Sequence, residues 1–420
     1  MSCRVVIVGG GFGGLGCAKA LAGTAAQVTL VDRTNYHLFV PLLYQVATAA
    51  LSPADIARPL RRILSRAGNI EVLLGDVRSV DPAARLVRTE HQTIGPYDRL
   101  VLATGSRYSY FGHPEWVRFA KGPRSLEDAR DIRMRLLTNF ERAEAAQDIG
   151  ERNRLMTVVI VGGGPTGVEM AGAVAELTRY ALARDFRHID PRRARIVLVE
   201  AGPRLLPSFA EDLGDYALRK LGDLGVTVML RRAVEALDES GVVIGGERLD
   251  AGTVIWGAGI EALSVGDWLG IATDRLGRVT VAPDLSLPAY PEVFVIGDAA
   301  LCPGTDGKPL PALAQVANQQ GIYVGKLIAA QLRGMPMGPF KFSNRGDTAI
   351  IGRNAAVFDF GRFHLKGRFA WLLWAIVHVY LLVGFENRLS VVMRWVWAYI
   401  SYERGARLIM PRAPQRPADQ

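Results

Sequence analysis

Cysteine is scarce in this chain of 420 residues: only Cys3, Cys17 and Cys302 are present. Three scattered thiols supply neither a disulfide framework nor a cysteine-rich metal site, and a reducing compartment is the simple reading. Zinc-ligand spacings, aromatic RNA-binding signatures and long lysine runs are also missing. The net charge of +9 therefore points to phosphate-bearing ligands or acidic lipid rather than to nucleic acid. No basic-then-apolar leader precedes "CRVVIVGG", so an export signal is not expected. The longest apolar run, "FAWLLWAIVHVYLLVG" at 369–384, would rise only about 24 Å as a helix. That is short of a hydrocarbon core of about 30 Å, which excludes a good membrane span.

What is present is a globular α/β pattern. Half the residues are apolar (49%) and 45 are glycine, which suits many tight strand-to-helix turns and two or three domains. Strands and helices alternate, arguing for parallel sheets with crossover helices. Two segments are imperfect copies, "VVIVGGGFGGLGCAKAL" from Val5 and "VVIVGGGPTGVEMAGAV" from Val158. Between and after them the pattern predicts a helix-rich stretch near 55–66 and a charged helix from about Ser125 to Asp148. Hairpin strands follow around "VVIGGERLD", then a strand in "EVFVIGDAA" and a helix from about Pro311. The last ten residues, "PRAPQRPADQ", read as a frayed end.

Each copy carries a GxGxxG between an apolar strand and a helix: Gly9, Gly11 and Gly14, then Gly162, Gly164 and Gly167. In such a turn the first glycine permits the bend, the second lets backbone approach a pyrophosphate and the third allows close helix packing. The phosphates then lie at a helix N-terminus, where free N–H groups and the macrodipole favour negative charge. Asp32 ends the next strand, "QVTLVD", where a carboxylate can accept from a ribose. Glu200 ends "ARIVLVE" in the same role, later than the usual spacing of about 20 residues because an elongated crossover intervenes. Glu200 also favours NADH over NADPH by repelling a 2′-phosphate, although Arg204 lies close in sequence.

Two dinucleotide motifs imply two dinucleotides, one a retained flavin and the other a nicotinamide that comes and goes. Asp298, at the tip of "VFVIGDAA", is placed to bind ribityl hydroxyls. Thr104 and Gly105 in "VLATG", and Gly259 in "WGAG", mark turns that bring backbone toward the two cofactors. The helix from Pro311 can direct its positive end at a reduced flavin. The electron acceptor is not expected to be a thiol, since "YHLFVPLLYQVATAAL" has no cysteine pair and Cys17 falls in the first helix as a small apolar group. The apolar run and "RLSVVMRWVWAYISYERGARLI" after it read as two helices lying on one leaflet, with Arg388, Arg394, Arg404 and Arg407 in the headgroup layer. Coverage of a dimer interface or of the core is the alternative. A membrane-bound flavoprotein without a redox thiol suggests quinone as acceptor.

The order of "VVIVGGGFGG", "DRTNYHLFVPLLYQVATAAL", "VLATGSRYSYFG", "VVIVGGGPTGVEMAGAVAEL", "VFVIGDAA", "ALAQVANQQG" and the aromatic C-terminal segment resembles type II NADH dehydrogenase, the non-proton-pumping NADH:quinone oxidoreductase, nearly end to end. The resemblance implies an α/β fold of two Rossmann-like domains with a C-terminal amphipathic helical anchor. It further implies non-covalent FAD, NADH as co-substrate, a membrane quinone, an anionic lipid surface and a homodimer held peripherally on the cytoplasmic face of the inner membrane. The family's AQxxxQ element falls on Ala314, Gln315 and Gln319, which share a helix face and can line the quinone's approach to the flavin. Glu169 matches a family glutamate near nicotinamide and flavin. Asn344, Asp347 and Glu386 depart from commoner family residues. The expected division is an FAD domain over 1–112 and 271–338, an NADH domain over 113–270 and a membrane-association region over 339–420. A sulfide or other donor:quinone reductase on the same scaffold, or a low-turnover flavin sensor, is the competing reading.

Overall fold

The computed structural model describes residues 3–263, 265–304, 307–401 and 404–409. The "PRAPQRPADQ" tail lies outside them. Two compact units emerge, one from 1–38, 57–109 and 260–345, the other from 39–56, 110–259 and 346–420.

The first unit is organised by a six-stranded sheet whose parallel centre runs Tyr290–Val295, Arg99–Leu102, Arg4–Val8, Gln27–Asp32, Ile70–Leu74. Its central strand, "RVVIV", is apolar on both faces, as a sheet covered by crossover helices requires. One covering pair is helix Phe12–Leu21 against helix Ala314–Gln331. Their backbones nearly touch: a Cβ on Gly321 would lie 1.9 Å from the Gly13 carbonyl oxygen. Ile7, Leu30, Val101 and Phe294 are among the side chains that close the core.

The second unit repeats the plan. Its five-stranded sheet runs Ala120–Lys121, Thr253–Trp256, Thr157–Val161, Arg195–Glu200, Val226–Leu230, all parallel. Each unit also carries a three-stranded antiparallel insert, Val77–Ile94 in one and Val234–Asp250 in the other. The charged helix forms over Leu126–Ala145, with Ser125 and Asp128 making a reciprocal capping box that satisfies N-terminal donors. The long crossover before Glu200 contains helix Pro165–Glu176, a wider turn at Leu177–Ala181 and a short turn at Pro191–Arg193.

Three stretches refine the sequence pattern. The helix-rich stretch near 55–66 holds two short helices, Pro53–Ile56 and Leu60–Ile63, separated by an extended segment, Ala57–Pro59. Pro59 lacks the N–H a continuous helix needs and disfavours helical geometry before it. The helix expected from Pro311 begins at Ala314. After 346 the chain first builds an antiparallel sheet, Asp347–Gly352, Ala355–Asp359 and His364–Gly367, before helices Arg368–Leu381 and Phe385–Ser401.

The units also divide the chain elsewhere than at 112/113, 270/271 and 338/339. Residues 39–56 join the second unit because helix Leu43–Ala47 packs on helix Leu126–Ala145. Residues from Gly346 join it because Gly172 lets helix Pro165–Glu176 meet strand Asp347–Gly352 backbone to backbone. A Cβ on Gly172 would lie 1.7 Å from the Ile351 carbonyl oxygen.

Candidate active site

The two glycine turns are the same fixture built twice. Gly9 (φ 103°) and Gly162 (φ 104°) adopt a backbone that L side chains avoid. The next residue's N–H then points at the acid ending the neighbouring strand. Gly10 N donates to Asp32 Oδ2 at 2.5 Å, and Gly163 N donates to Glu200 Oε2 at 2.5 Å. Each carboxylate takes further donors: Asp32 Oδ1 from Thr34 N and Oγ1, and Glu200 Oε1 from Gly202 N. Sequence reasoning assigned these acids to ribose; they also hold the turn that would carry the phosphates.

The turns fit dinucleotides. Gly11 and Gly164 start their helices without a side-chain cap, and a Cβ on either would meet no protein atom within 4 Å. That is the open cradle a pyrophosphate requires. Gly14 and Gly167 pack so closely that a Cβ would lie 1.8 and 1.7 Å from the carbonyl oxygens of Gly9 and Gly162. His37, which sequence analysis did not single out, supports the first turn from below: its Nδ1 lies 3.0 Å from Gly10 O, and burial lowers its pKa. The only signal was a histidine in an otherwise apolar run.

Other predicted cofactor residues of the first unit gather at the carboxyl ends of its strands. Thr104 Oγ1 donates to Leu263 O at 3.2 Å, and Gly105 (φ 75°) accepts from Leu263 N. Asp298 Oδ2 accepts from Ser106 Oγ at 2.6 Å, while the preceding Gly297 N donates to Gln320. In the second unit Gly259 (φ 66°) leaves the sheet beside Phe111. Arg204 spends its guanidinium on Phe209 O and Pro207 O, which leaves Glu200 to set the charge at its turn.

Gln315 and Gln319 do more than face one side of a helix. Gln319 exchanges hydrogen bonds with the Ser343 backbone at 2.9 and 3.0 Å, and Gln315 Oε1 accepts from Arg345 N at 3.1 Å. They hold the extended segment 343–345, and Asn344, a departure from the family pattern, joins this contact.

A cavity of about 830 Å³ lies within the second unit. Its walls come from helix Leu43–Ala47, helix Pro165–Glu176, strand Asp347–Gly352 and both C-terminal helices. Indole, phenol and aliphatic groups dominate the lining; Gln315 and Gln319 are not part of it. Glu169 lines it, and burial pushes its carboxyl up to about 8 against one opposing backbone hydrogen bond, from Ile350 N at 3.4 Å. Gln45 is held from two sides, by Trp395 Nε1 at 2.8 Å and through its own amide to the Tyr44 hydroxyl at 2.8 Å.

Of the four C-terminal arginines expected in the headgroup layer, Arg404 turns inward and is buried, Arg388 and Arg407 are half-buried, and Arg394 stays exposed while pairing with Asp55. Arg388 donates to Leu382 O and Tyr380 O, and Arg394 pairs with buried Asp55. Arg404 is buried against Thr48 O, Ala173 O and Glu176, and Arg407 reaches Ala181 O and Asp185. The helices also leave large apolar side chains exposed, Phe369, Ile376, Tyr380, Met393, Trp397 and Ile400 among them, beside the exposed charges of Arg368, Glu386 and Arg394. Among the described residues, no helix is long and apolar enough to cross a membrane, and no cluster of three or more acidic, histidine or cysteine side chains could hold a metal. The three cysteines are free, and burial raises Cys17 to about 12, so its thiol is inert at ordinary pH.

Residues 3–321 match the family described as pyridine nucleotide-disulphide oxidoreductase. The chain is 40% identical over 417 residues to the type II NADH:quinone oxidoreductase Ndh of Mycobacterium tuberculosis, covering 96% of this chain and 89% of that one. It is 41% identical to NdhA of the same organism, over 97% and 89% of the two chains. A solved structure of NDH2 from Plasmodium falciparum in complex with NADH superposes with a TM-score of 0.88 at 20% identity, over 98% of this chain and all of that one. Two nucleotide turns of one design, an apolar cavity and inert thiols thus coincide with the sequence match, and the chain belongs to the pyridine nucleotide-disulphide oxidoreductase family and, within it, to the type II NADH:quinone oxidoreductases.

Proposed function

We propose that the protein oxidises NADH and reduces a membrane quinone while lying on the membrane surface, without pumping protons. The observation that carries this reading is the apolar cavity with Glu169 in its wall, a carboxyl that keeps its proton at neutral pH. The cavity suits a flat, uncharged, lipid-soluble oxidant, and a protonated acid inside it suits an acceptor that must gain protons along with electrons.

The chemistry FAD supplies when bound non-covalently is two-electron: a hydride taken from NADH and an electron pair given to quinone. Gly9, Gly11, Gly14 and Asp32 would hold its pyrophosphate and ribose, and Thr104, Gly105 and Asp298 would lie toward the flavin half. Gly162, Gly164, Gly167, Glu200 and Gly259 hold NADH, and Glu200 disfavours a 2′-phosphate. Glu169 holds a proton for the quinone side, with its Oε1 accepting from Ile350 N. Gln315 and Gln319 act by fixing segment 343–345 and, with it, the approach to the flavin. Catalysis is then mostly orientation and exclusion of water.

The exposed apolar residues of the two C-terminal helices form the membrane-facing surface, with anionic lipid as partner of the surrounding positive charge. A homodimer on the cytoplasmic face of the inner membrane, feeding a respiratory chain, completes the reading. The test is anaerobic. NADH should bleach the flavin band of the holoprotein, and a short-chain quinone should restore it promptly and repeatedly. Bleaching without return would move the search to another acceptor, and a bleach by sulfide but not NADH would replace the reading.

A further inference from the structure

His37 is the middle residue of strand Tyr36–Leu38, which pairs antiparallel with Ala57–Pro59 inside the first unit. Alternation along a strand sends its ring the opposite way from Tyr36 and Leu38, and it is buried where they are half-buried. A buried imidazole must place its N–H, and this ring meets the first glycine turn twice. Nδ1 lies 3.0 Å from Gly10 O, and the ring stands edge-to-face with Phe12, centroids 5.1 Å apart at 83°. A carbonyl oxygen only accepts, so Nδ1 carries the hydrogen and donates it.

Gly10 O and Gly11 N belong to one peptide group. That peptide is trans, so its C=O and N–H point in opposite directions. Drawing the carbonyl in toward His37 therefore turns the Gly11 N–H away from the buried ring. It does so at an exposed residue, where an added Cβ would meet no protein atom within 4 Å. On the other side of Gly10, its own N–H is held by Asp32 Oδ2 at 2.5 Å. Neither peptide flanking Gly10 can rotate without breaking a hydrogen bond. We propose that His37 is a positioning residue for FAD: its Nδ1–H pins the Gly10–Gly11 peptide so that the Gly11 N–H meets the pyrophosphate. This rests on the assignment of FAD to the first turn and adds to it a residue that neither the glycine motif nor the resemblance marks.

The second unit supplies an independent comparison. Its turn repeats the positive-φ glycine and the carboxylate on the following N–H, and the matching carbonyl is pinned as well: Gly163 O accepts from Leu206 N at 2.8 Å. Leu206 is fully buried, so this donor too comes from the protein side of the turn. One turn uses an imidazole and the other uses main chain. Two unrelated donors at the same place mark the orientation of the peptide, and not the chemistry of the donor, as what each turn requires.

Two measurements on the FAD-loaded full chain test this. Burial lowers the pKa of His37, so at pH 7 the neutral ring carries a single hydrogen. With isotope-labelled histidine, correlation spectra of the ring nitrogens should show one of the six imidazoles as the Nδ1–H tautomer, and that signal should vanish in His37→Asn. A His37 ring with its hydrogen on Nε2 overturns the proposal. The second measurement follows FAD release on serial dilution by flavin fluorescence. His37→Leu should raise the Kd for FAD about 5- to 10-fold, as loss of one hydrogen bond requires. His37→Asn, whose amide N–H falls near the place of Nδ1–H, should recover most of the loss, whereas His37→Gln, whose amide reaches toward the place of Nε2, should not. Affinity for ADP-ribose, which reports on the second turn, should stay within about twofold of the parent in all three. Parental FAD affinity in His37→Leu overturns the proposal, and so does a loss that Asn leaves undiminished, because packing and not a donated hydrogen would then be at stake. If His37→Leu instead loses ADP-ribose affinity and keeps FAD, the assignment of FAD to the first turn falls together with this inference; if it loses neither, the inference alone falls.

Discussion

Arg404 Nη2 lies 3.1 Å from Glu176 Oε2, a pair separated by 228 residues of sequence and closed by two further bonds from Arg404 Nη1 to Thr48 O and Ala173 O. One guanidinium thus ties the end of the chain to a helix and to a loop of the second unit. Arg404→Met would leave Glu176 without its counter-charge and remove the guanidinium donor from Thr48 O and Ala173 O. The expected loss is about 3 kcal/mol, read as a fall in melting temperature, with Arg404→Lys recovering only part because it cannot reproduce the fork of contacts.

Glu169 gives stability a pH slope of definite sign. Its carboxyl sits near 8 in the folded protein against an ordinary 4.5, so between those values the folded state keeps a proton that the unfolded chain has released. Stability contributed by this group therefore falls as pH rises from about 4.5 to about 8 and is flat above. Glu169→Gln should flatten that window in denaturant titrations. The same variant should slow flavin reoxidation by quinone at pH 7 and abolish the decline in the parent's rate above pH 8.

Nicotinamide choice is expected to follow the charge of Glu200. Glu200→Gln retains an acceptor oxygen for a turn amide but removes the repulsion of a 2′-phosphate. The ratio of kcat/KM for NADH to that for NADPH should fall about tenfold. An unchanged ratio would place the selection elsewhere.

Asp55 is the buried fastener of the last helix. It accepts from Ser390 Oγ at 2.8 Å and pairs with Arg394 at 3.1 Å, while Asn387 bonds the backbone beside it. Asp55→Ala should loosen helix Phe385–Ser401. Faster limited proteolysis near 382–390, and weaker flotation with anionic vesicles, are the expected results. Bleaching of the flavin by NADH should be unaffected.

The sequence made the two nucleotide turns legible because their geometry has few solutions: a positive-φ glycine, an uncapped helix and an acid at a strand end are written locally. Glu200 was found despite its late position because strand Arg195–Glu200 is a continuous apolar run ending in one carboxylate. The burial of Arg404 was not legible, since it depends on Thr48 O, Ala173 O and Glu176 being brought together by the fold. The sheet over 347–367 was hidden for a related reason: its strands are short and interrupted by turns, one with Asn354 at φ 60°. His37 could be seen as a histidine in an apolar run but not as a donor to Gly10 O, a contact that exists only once strand Tyr36–Leu38 brings its ring to the turn.

Helix Arg368–Leu381 carries Trp374 on its buried side and Phe369, 81% exposed, on the other. A wall that is cavity lining on one side and apolar surface on the other changes how a greasy oxidant is supplied. Such a molecule need never become a solute in water: it can arrive by lateral diffusion in two dimensions, at the concentration it has in the lipid. Turnover at limiting acceptor would then track the mole fraction of quinone in the bilayer and not its total amount per volume of solution. Diluting a vesicle suspension with buffer would leave that rate per enzyme unchanged, whereas diluting the quinone with extra lipid would lower it.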